Sequence, residues 1–135
     1  MKVMCFGTFD LFHLGHLKYL QQAKSYGDHL TVVIARDSNV RKNLVFNENE
    51  RLELIKHLKI VDEVILGNEK DYLQVIEEKN PDIVCLGYDQ PITEEKLAER
   101  LKLRGLNPEI KRMHPYQTNK HKSSLIKEIV LSHPK

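Results

Sequence analysis

Gly7-Thr8-Phe9-Asp10-Leu11-Phe12-His13-Leu14-Gly15-His16 follows a short apolar run, Val3 to Phe6. It leads into a segment where Leu14, Leu17, Leu20 and Ala23 recur at helical spacing until Gly27. The apolar run reads as a buried strand, and the recurrence reads as the helix it feeds. His13, Gly15 and His16 therefore sit at a helix N-terminus, where unpaired backbone N–H groups and the positive end of the helix dipole attract anions. Gly15 would let a phosphate approach the main chain with no Cβ in the way. Two imidazoles three residues apart add hydrogen bonds from one side.

Outward from this unit, strand and helix patterns alternate. Leu30 to Ala35, Val61 to Leu66 and Ile83 to Leu86 are near-continuous apolar runs, and a fifth strand is expected near Glu109 to Met113. Continuous runs of this kind mark strands covered on both faces. Helices are expected over Glu48 to Leu58, with Asn47 and Glu50 placed as a capping pair, over Asp71 to Lys79 ahead of Pro81, over Thr93 to Arg104, and over Ser123 to Leu131. The alternation predicts an α/β fold: a Rossmann-like, five-stranded parallel sheet with helices on both faces and right-handed crossovers, in a single domain spanning residues 1–135. Ligands of such sheets bind beyond the carboxyl ends of the strands, near the reversal in strand order. The first strand delivers the histidine segment there.

A chain of 135 residues is one ordinary domain, and its net charge of +2, from 21 basic and 19 acidic residues, gives no reason to expect a nucleic-acid partner. The basic residues after Ile110 (Lys111, Arg112, Lys120, Lys122, Lys127 and Lys135, against Glu128) face either polyphosphate or solvent. No stretch approaches the ~20 consecutive apolar residues of a membrane span, and no signal-peptide core opens the chain, so a cytoplasmic protein with no membrane partner is expected. Cys5 and Cys85 both lie in strand-like runs and read as buried, reduced thiols rather than nucleophiles. Two histidines at this spacing would also suit zinc or a plain helix cap. His57, His114, His121 and His133 stand apart, however, and supply no third and fourth ligand.

The ten-residue string Gly-Thr-Phe-Asp-x-x-His-x-Gly-His in its strand-to-helix setting resembles the HxGH nucleotidyltransferase superfamily, in particular its cytidylyltransferase and FAD synthase members. Four further segments resemble archaeal-type FAD synthases: Ala35-Arg36-Asp37, Val61 to Gly67, Pro81 to Gln90 and Ser123 to Ile129. The chain departs from those enzymes in a shorter, less basic loop from Val40 to Asn49 and in having no cysteine in the loop just before Ser123. Lys18 resembles instead the glycerol-3-phosphate cytidylyltransferases, and the first motif is shared with sugar-phosphate and heptose nucleotidyltransferases.

The resemblance implies nucleotidyl transfer from a nucleoside triphosphate to a small phosphorylated acceptor, with pyrophosphate released. ATP and FMN are the expected pair, and CTP with glycerol 3-phosphate or a sugar phosphate is the alternative. A phosphate acceptor is already an anion, so the reaction needs alignment and charge neutralisation rather than a Ser or Cys nucleophile. The residues implied for catalysis are His13, His16 and Lys42. Thr8, Phe9, His13, Leu14, Gly15, His16, Gly87, Asp89, Tyr116, Ser123 and Ser124 are implied for nucleotide binding. Gly87 and Asp89 also suit a plain turn, and Ser123 a plain N-cap. Arg41 forms a basic pair with Lys42, while Arg51, which opens the next helix, is read as a partner-helix or salt-bridge residue instead of a site residue. Mg²⁺ or another divalent cation is expected to bridge the outgoing pyrophosphate, with no metal ligands among the protein's own residues. Paired domains in the resembled families imply a possible homodimer. A non-catalytic nucleotide sensor on the same fold is the reading from another class, and both histidines together with the basic loop speak for the enzyme.

Overall fold

The computed structural model describes residues 1–40 and 43–115. It contains β1 (Lys2–Gly7), α1 (Leu14–Lys24), β2 (His29–Ile34), α2 (Glu48–Lys56), β3 (Glu63–Leu66), α3 (Gln74–Lys79), β4 (Ile83–Leu86), α4 (Glu94–Lys102) and β5 (Glu109–Arg112), with a short 3-10 turn at Asp37–Asn39. The strands form one sheet in the order β3-β2-β1-β4-β5, and every neighbouring pair is parallel. The expected alternation of strand and helix is therefore present through β5. The expected helix over 123–131 lies outside the described residues.

The chain first steps from β1 through β2 to β3, then returns to the other side of β1 for β4 and β5. Right-handed crossovers in these two opposite directions place the intervening helices on opposite faces. Side-chain alternation along the strands follows this division. Val3 and Cys5, Leu30, Val32 and Ile34, and Ile83 and Cys85 pack with Leu20 and Ala23 of α1 and Ile55 of α2. Met4, Val33, Val84 and Leu86 pack on the other face with Val75 and Ile76 of α3 and Leu97 and Leu101 of α4.

Where element ends differ from the sequence expectation, local side chains explain the shift. α3 starts at Gln74 rather than Asp71, because Asn68 Oδ1 takes the Lys70 and Asp71 N–H groups and Asp71 Oδ1 takes the Leu73 N–H. Such side-chain turns compete with the first helical turn. β3 starts at Glu63 because Asp62 is used as a clasp: its N–H donates to Leu30 O, and its carboxylate accepts the Leu30 N–H at 2.8 Å. Asp82 repeats this device on β1, donating to Lys2 O and accepting the Lys2 N–H at 2.7 Å. Two aspartates thus close the ladder at the amino end of the sheet. Asn47 and Glu50 form the expected reciprocal cap on α2.

Cys5 and Cys85 are register partners on adjacent strands, both wholly buried. Burial pushes the Cys85 thiol up to about 12, and burial together with the neighbouring Cys85 raises Cys5 as well. Thiolates are the reactive form, so native protein should leave both cysteines unmodified by a thiol reagent such as Ellman's, whereas both react once guanidinium unfolds the chain. Labelling of either thiol under native conditions would contradict the burial described here.

Candidate functional site

The ladder between β1 and β4 ends at Cys5 and Cys85, while β1 continues beside β2 to Gly7. Past that point the peptide groups of Phe6 have no strand partner on the β4 side. The Tyr19 hydroxyl of α1 supplies one, donating to Phe6 O at 2.9 Å and accepting the Phe6 N–H at 3.3 Å. The same oxygen lies 3.3 Å from Cys85 O. Burial raises the Tyr19 phenol well above its ordinary range, so it remains a neutral donor and acceptor. The two strands part here, at the reversal in strand order where α/β sheets open a ligand crevice.

Into this opening runs the loop Thr8 to His13. Phe9 and Leu11 adopt left-handed backbone, with φ of 56° and 51°, at a cost of about 1–2 kcal/mol each for a non-glycine residue. Phe9 is nevertheless buried, its ring against Phe12, His16 and Tyr19. Gly7 is required by this fold-back, since a Cβ there would collide with the Phe9 ring. Two charged groups lock the strained loop from behind. The buried Asp10 carboxylate accepts the N–H groups of Val45 and Phe46 at 2.8 and 3.0 Å. Arg51 of α2, also buried, donates to Thr8 O at 2.8 Å, Phe46 O at 3.2 Å and Asp37 Oδ1 at 2.6 Å. Of the alternatives open for Arg51, the structure gives it the ion-pair role.

His13 is the N-cap of α1, and the two histidines cap each other. His13 Nδ1 accepts the Gly15 N–H at 3.1 Å, while His16 Nδ1 accepts the His13 N–H at 3.2 Å. The rings stack with centroids 3.9 Å apart. With Nδ1 an acceptor in both, each neutral ring carries its proton on Nε2 and so presents an N–H donor. Burial, reinforced by the adjacent His13 and only partly opposed by Asp10, pushes the His16 pKa down to about 3. His16 is therefore uncharged at neutral pH. The Gly15 N–H is occupied by the cap, which shifts the donors available to an anion from that amide toward the imidazoles.

Of the other residues singled out in the sequence, Leu14, Gly87 and Asp89 lie around the same opening. Leu14 is the exposed first residue of α1. Gly87 directly follows β4, with its N–H bonded to Gln90 Oε1 at 3.0 Å, and Gln90 Nε2 reaches back to Phe6 O on β1 at 3.4 Å. Asp89 is exposed at the tip of that turn. Lys42, Tyr116, Ser123 and Ser124 lie outside the described residues, as does Arg41. Of the basic end of the chain, Lys111 pairs with Glu109 and sits over the Tyr26 ring, and Arg112 is turned onto the loop after β4. Among the described residues no group of His, Cys, Asp and Glu is placed to hold a metal ion, and no helix is long and apolar enough to cross a membrane. Sequence reading did not identify Asp10 and Tyr19 as site-forming. Asp10 stood inside the motif, and Tyr19 gave no signal beyond helical spacing.

A model of the cytidylyltransferase-like family matches residues 4–129. The chain is 44% identical over 134 residues to the FAD synthase of Thermoplasma acidophilum, covering 97% of this chain and 94% of that one. It is 45% identical to a crystal structure from Thermoplasma volcanium described as a lipopolysaccharide core biosynthesis protein, with a TM-score of 0.85 over 87% of this chain and 98% of the other. A pantoate-β-alanine ligase from Francisella tularensis, 16% identical, shares the fold with a TM-score of 0.56 over 97% of this chain and 69% of that one.

The depressed His16 pKa makes stability depend on pH with a definite sign. Folded His16 titrates at about 3, whereas an unfolded histidine titrates near 6.5, so the proton is taken up only on unfolding between these values. Stability is lost as pH falls below about 6.5, by up to about 2 kcal/mol between pH 7 and pH 5. Denaturant midpoints at these two pH values should show a smaller acid loss in His16→Gln than in the wild type. Equal losses would mean that the folded protein protonates His16.

Proposed function

This chain belongs to the cytidylyltransferase-like family, and we infer that it is an FAD synthase, a nucleotidyltransferase that joins AMP from ATP to FMN and releases pyrophosphate. The observation that carries this reading is the 44% identity to an FAD synthase over 97% of the chain. A match of that length includes the loops beyond β4, where base and acceptor are told apart, and not only the phosphate-handling motif.

In the reaction a phosphate oxygen of FMN forms a bond to the α-phosphorus of ATP. The bond from that phosphorus to the bridging oxygen breaks, and its electron pair leaves on pyrophosphate. His13 and His16, with Nε2–H on each ring, would donate to the α- and β-phosphates and stabilise charge gathering on the α-phosphoryl oxygens. A neutral His16 is suited to this task, since its Nε2–H acts as a fixed dipole and the ring carries no second, acidic proton to lose. Thr8, Phe9, Leu14 and Gly15 would shape the phosphate end of the crevice. Main-chain groups around Gly87 and the Asp89 carboxylate would read the adenine and ribose end. Lys42 would add a point charge, Ser123 and Ser124 would take the outer phosphates, and Tyr116 would lie beside the nucleotide. The described residues do not fit a resident metal, as the motif histidines spend Nδ1 on the cap and carry protons on Nε2. A divalent cation would arrive with the triphosphate and would supply charge neutralisation for the outgoing pyrophosphate.

The test is a panel of four nucleoside triphosphates against FMN, glycerol 3-phosphate and sugar 1-phosphates, read by pyrophosphate release and product mass. ATP with FMN should be the best pair. CTP with glycerol 3-phosphate, or a sugar phosphate reacting where FMN is inert, would refute the FAD synthase reading and leave the nucleotidyltransferase class standing. In the same assay His16→Ala should lower kcat by roughly 100-fold or more with a much smaller effect on ATP binding, as expected for a donor that matters most in the transition state. Near wild-type turnover would take His16 out of the mechanism.

A further inference from the structure

Arg112, at the end of β5 and in register with Leu86 of β4, is bound to the loop that leaves β4. Its Nη1 donates to Gly87 O and to Gln90 O, each at 2.8 Å, and its Nη2 donates to Ile92 O at 2.6 Å. Nε and Nη2 also reach the Glu94 carboxylate. All five N–H donors of a guanidinium are thereby used. The Arg112 hydrogen bonds hold the Glu94 carboxyl below its ordinary range. A surface ion pair would have needed only Glu94. Here three main-chain carbonyls from one loop are gathered onto a single planar group.

The gathering orients the backbone. In a trans peptide the C=O and the following N–H point in opposite directions, and no described peptide bond is cis. Drawing Gly87 O onto Arg112 therefore turns the Tyr88 N–H away from the guanidinium. Gln90 holds the same turn from the β1 side through Gly87 N and Phe6 O. The segment from Gly87 to Gln90 is fixed between two strands, and its polar groups are aimed rather than left to find their own directions.

We propose that Arg112 is a positioning residue for nucleotide selection: by fixing the carbonyls of Gly87, Gln90 and Ile92, it sets the main-chain pattern that distinguishes adenine from cytosine. The proposal rests on the reading above that places the base at this loop. Lysine is no substitute, because an ammonium has three donors on a flexible stem and cannot reproduce the planar fork.

The experiment compares wild type and Arg112→Lys for ATP and CTP affinity by calorimetry, and for kcat and KM in FAD formation. The variant should weaken ATP binding about tenfold and reduce the ATP-to-CTP preference by a similar factor, while kcat at saturating ATP and KM for FMN stay within about threefold. A purely structural role would lower the melting temperature and the amount of active enzyme but leave KM and the ATP-to-CTP ratio unchanged, and that result overturns the proposal. If Arg112→Lys does not fold, Glu94→Ala decides: it removes one anchor of the guanidinium and should erode the ratio about threefold, and an unchanged ratio again overturns it. If the wild type binds ATP but FMN is inert, the FMN reading fails and the binding ratio still decides the role of Arg112. If the wild type prefers CTP, the FAD synthase reading fails, and the proposal stands or falls on whether the variant erodes that preference.

Discussion

The Tyr19 hydroxyl solves a problem created by the topology. A parallel sheet whose chain reverses direction beside β1 must let two neighbouring strands part, and the peptide groups exposed by the parting must still be hydrogen-bonded if they are buried. Phe6 N–H and C=O are those groups, and a single phenol from α1 satisfies both. Because the satisfying group belongs to the helix, α1 is pinned to β1 fewer than two turns after its N-cap histidine. Position of the histidines and opening of the crevice are consequences of the same contact.

The loop between β1 and α1 is then held in a conformation that its own backbone disfavours. Phe9 and Leu11 in left-handed geometry persist because the Phe9 ring is buried, because Arg51 binds Thr8 O, and because the Asp10 carboxylate is tied to the amides of Val45 and Phe46. A buried arginine and a buried aspartate are expensive unless their hydrogen-bonding capacity is filled, and both are engaged with backbone groups from the segment before α2. The result is preorganisation. The imidazoles are oriented by each other and by a loop that is itself oriented, so their Nε2–H groups keep fixed directions with little left to reorder.

Much of this was legible in the sequence because the relevant signals are local. Apolar runs, helical spacing and capping pairs gave the order of elements through β5 and the placement of the histidines, and Asn47 with Glu50 was read correctly as a cap. What could not be read is what depends on distant residues. Arg51 looked like a helix-opening cation with several readings, and only the approach of Thr8 and Asp37 assigns it. Arg112 belonged to a basic stretch that suggested polyphosphate or solvent, yet its partners are carbonyls 20 to 25 positions earlier in the chain. The shift in the start of α3 came from Asn68 and Asp71 diverting amides that the helical pattern alone would have kept.

The paired aspartate clasps at the amino end of the sheet have an evolutionary implication. Slipping a strand by one residue exchanges its two faces, so any insertion or exchange in a loop risks the whole core unless register is held elsewhere. Asp62 and Asp82 hold it at the edge farthest from the crevice, each by grasping a peptide within the first two residues of a neighbouring strand. Loops at the opposite edge can therefore lengthen, shorten or change composition without disturbing strand alignment. A scaffold fastened in this way is open to new acceptors: lineages can trade one phosphorylated partner for another by rewriting the mouth of the sheet while its base stays fixed.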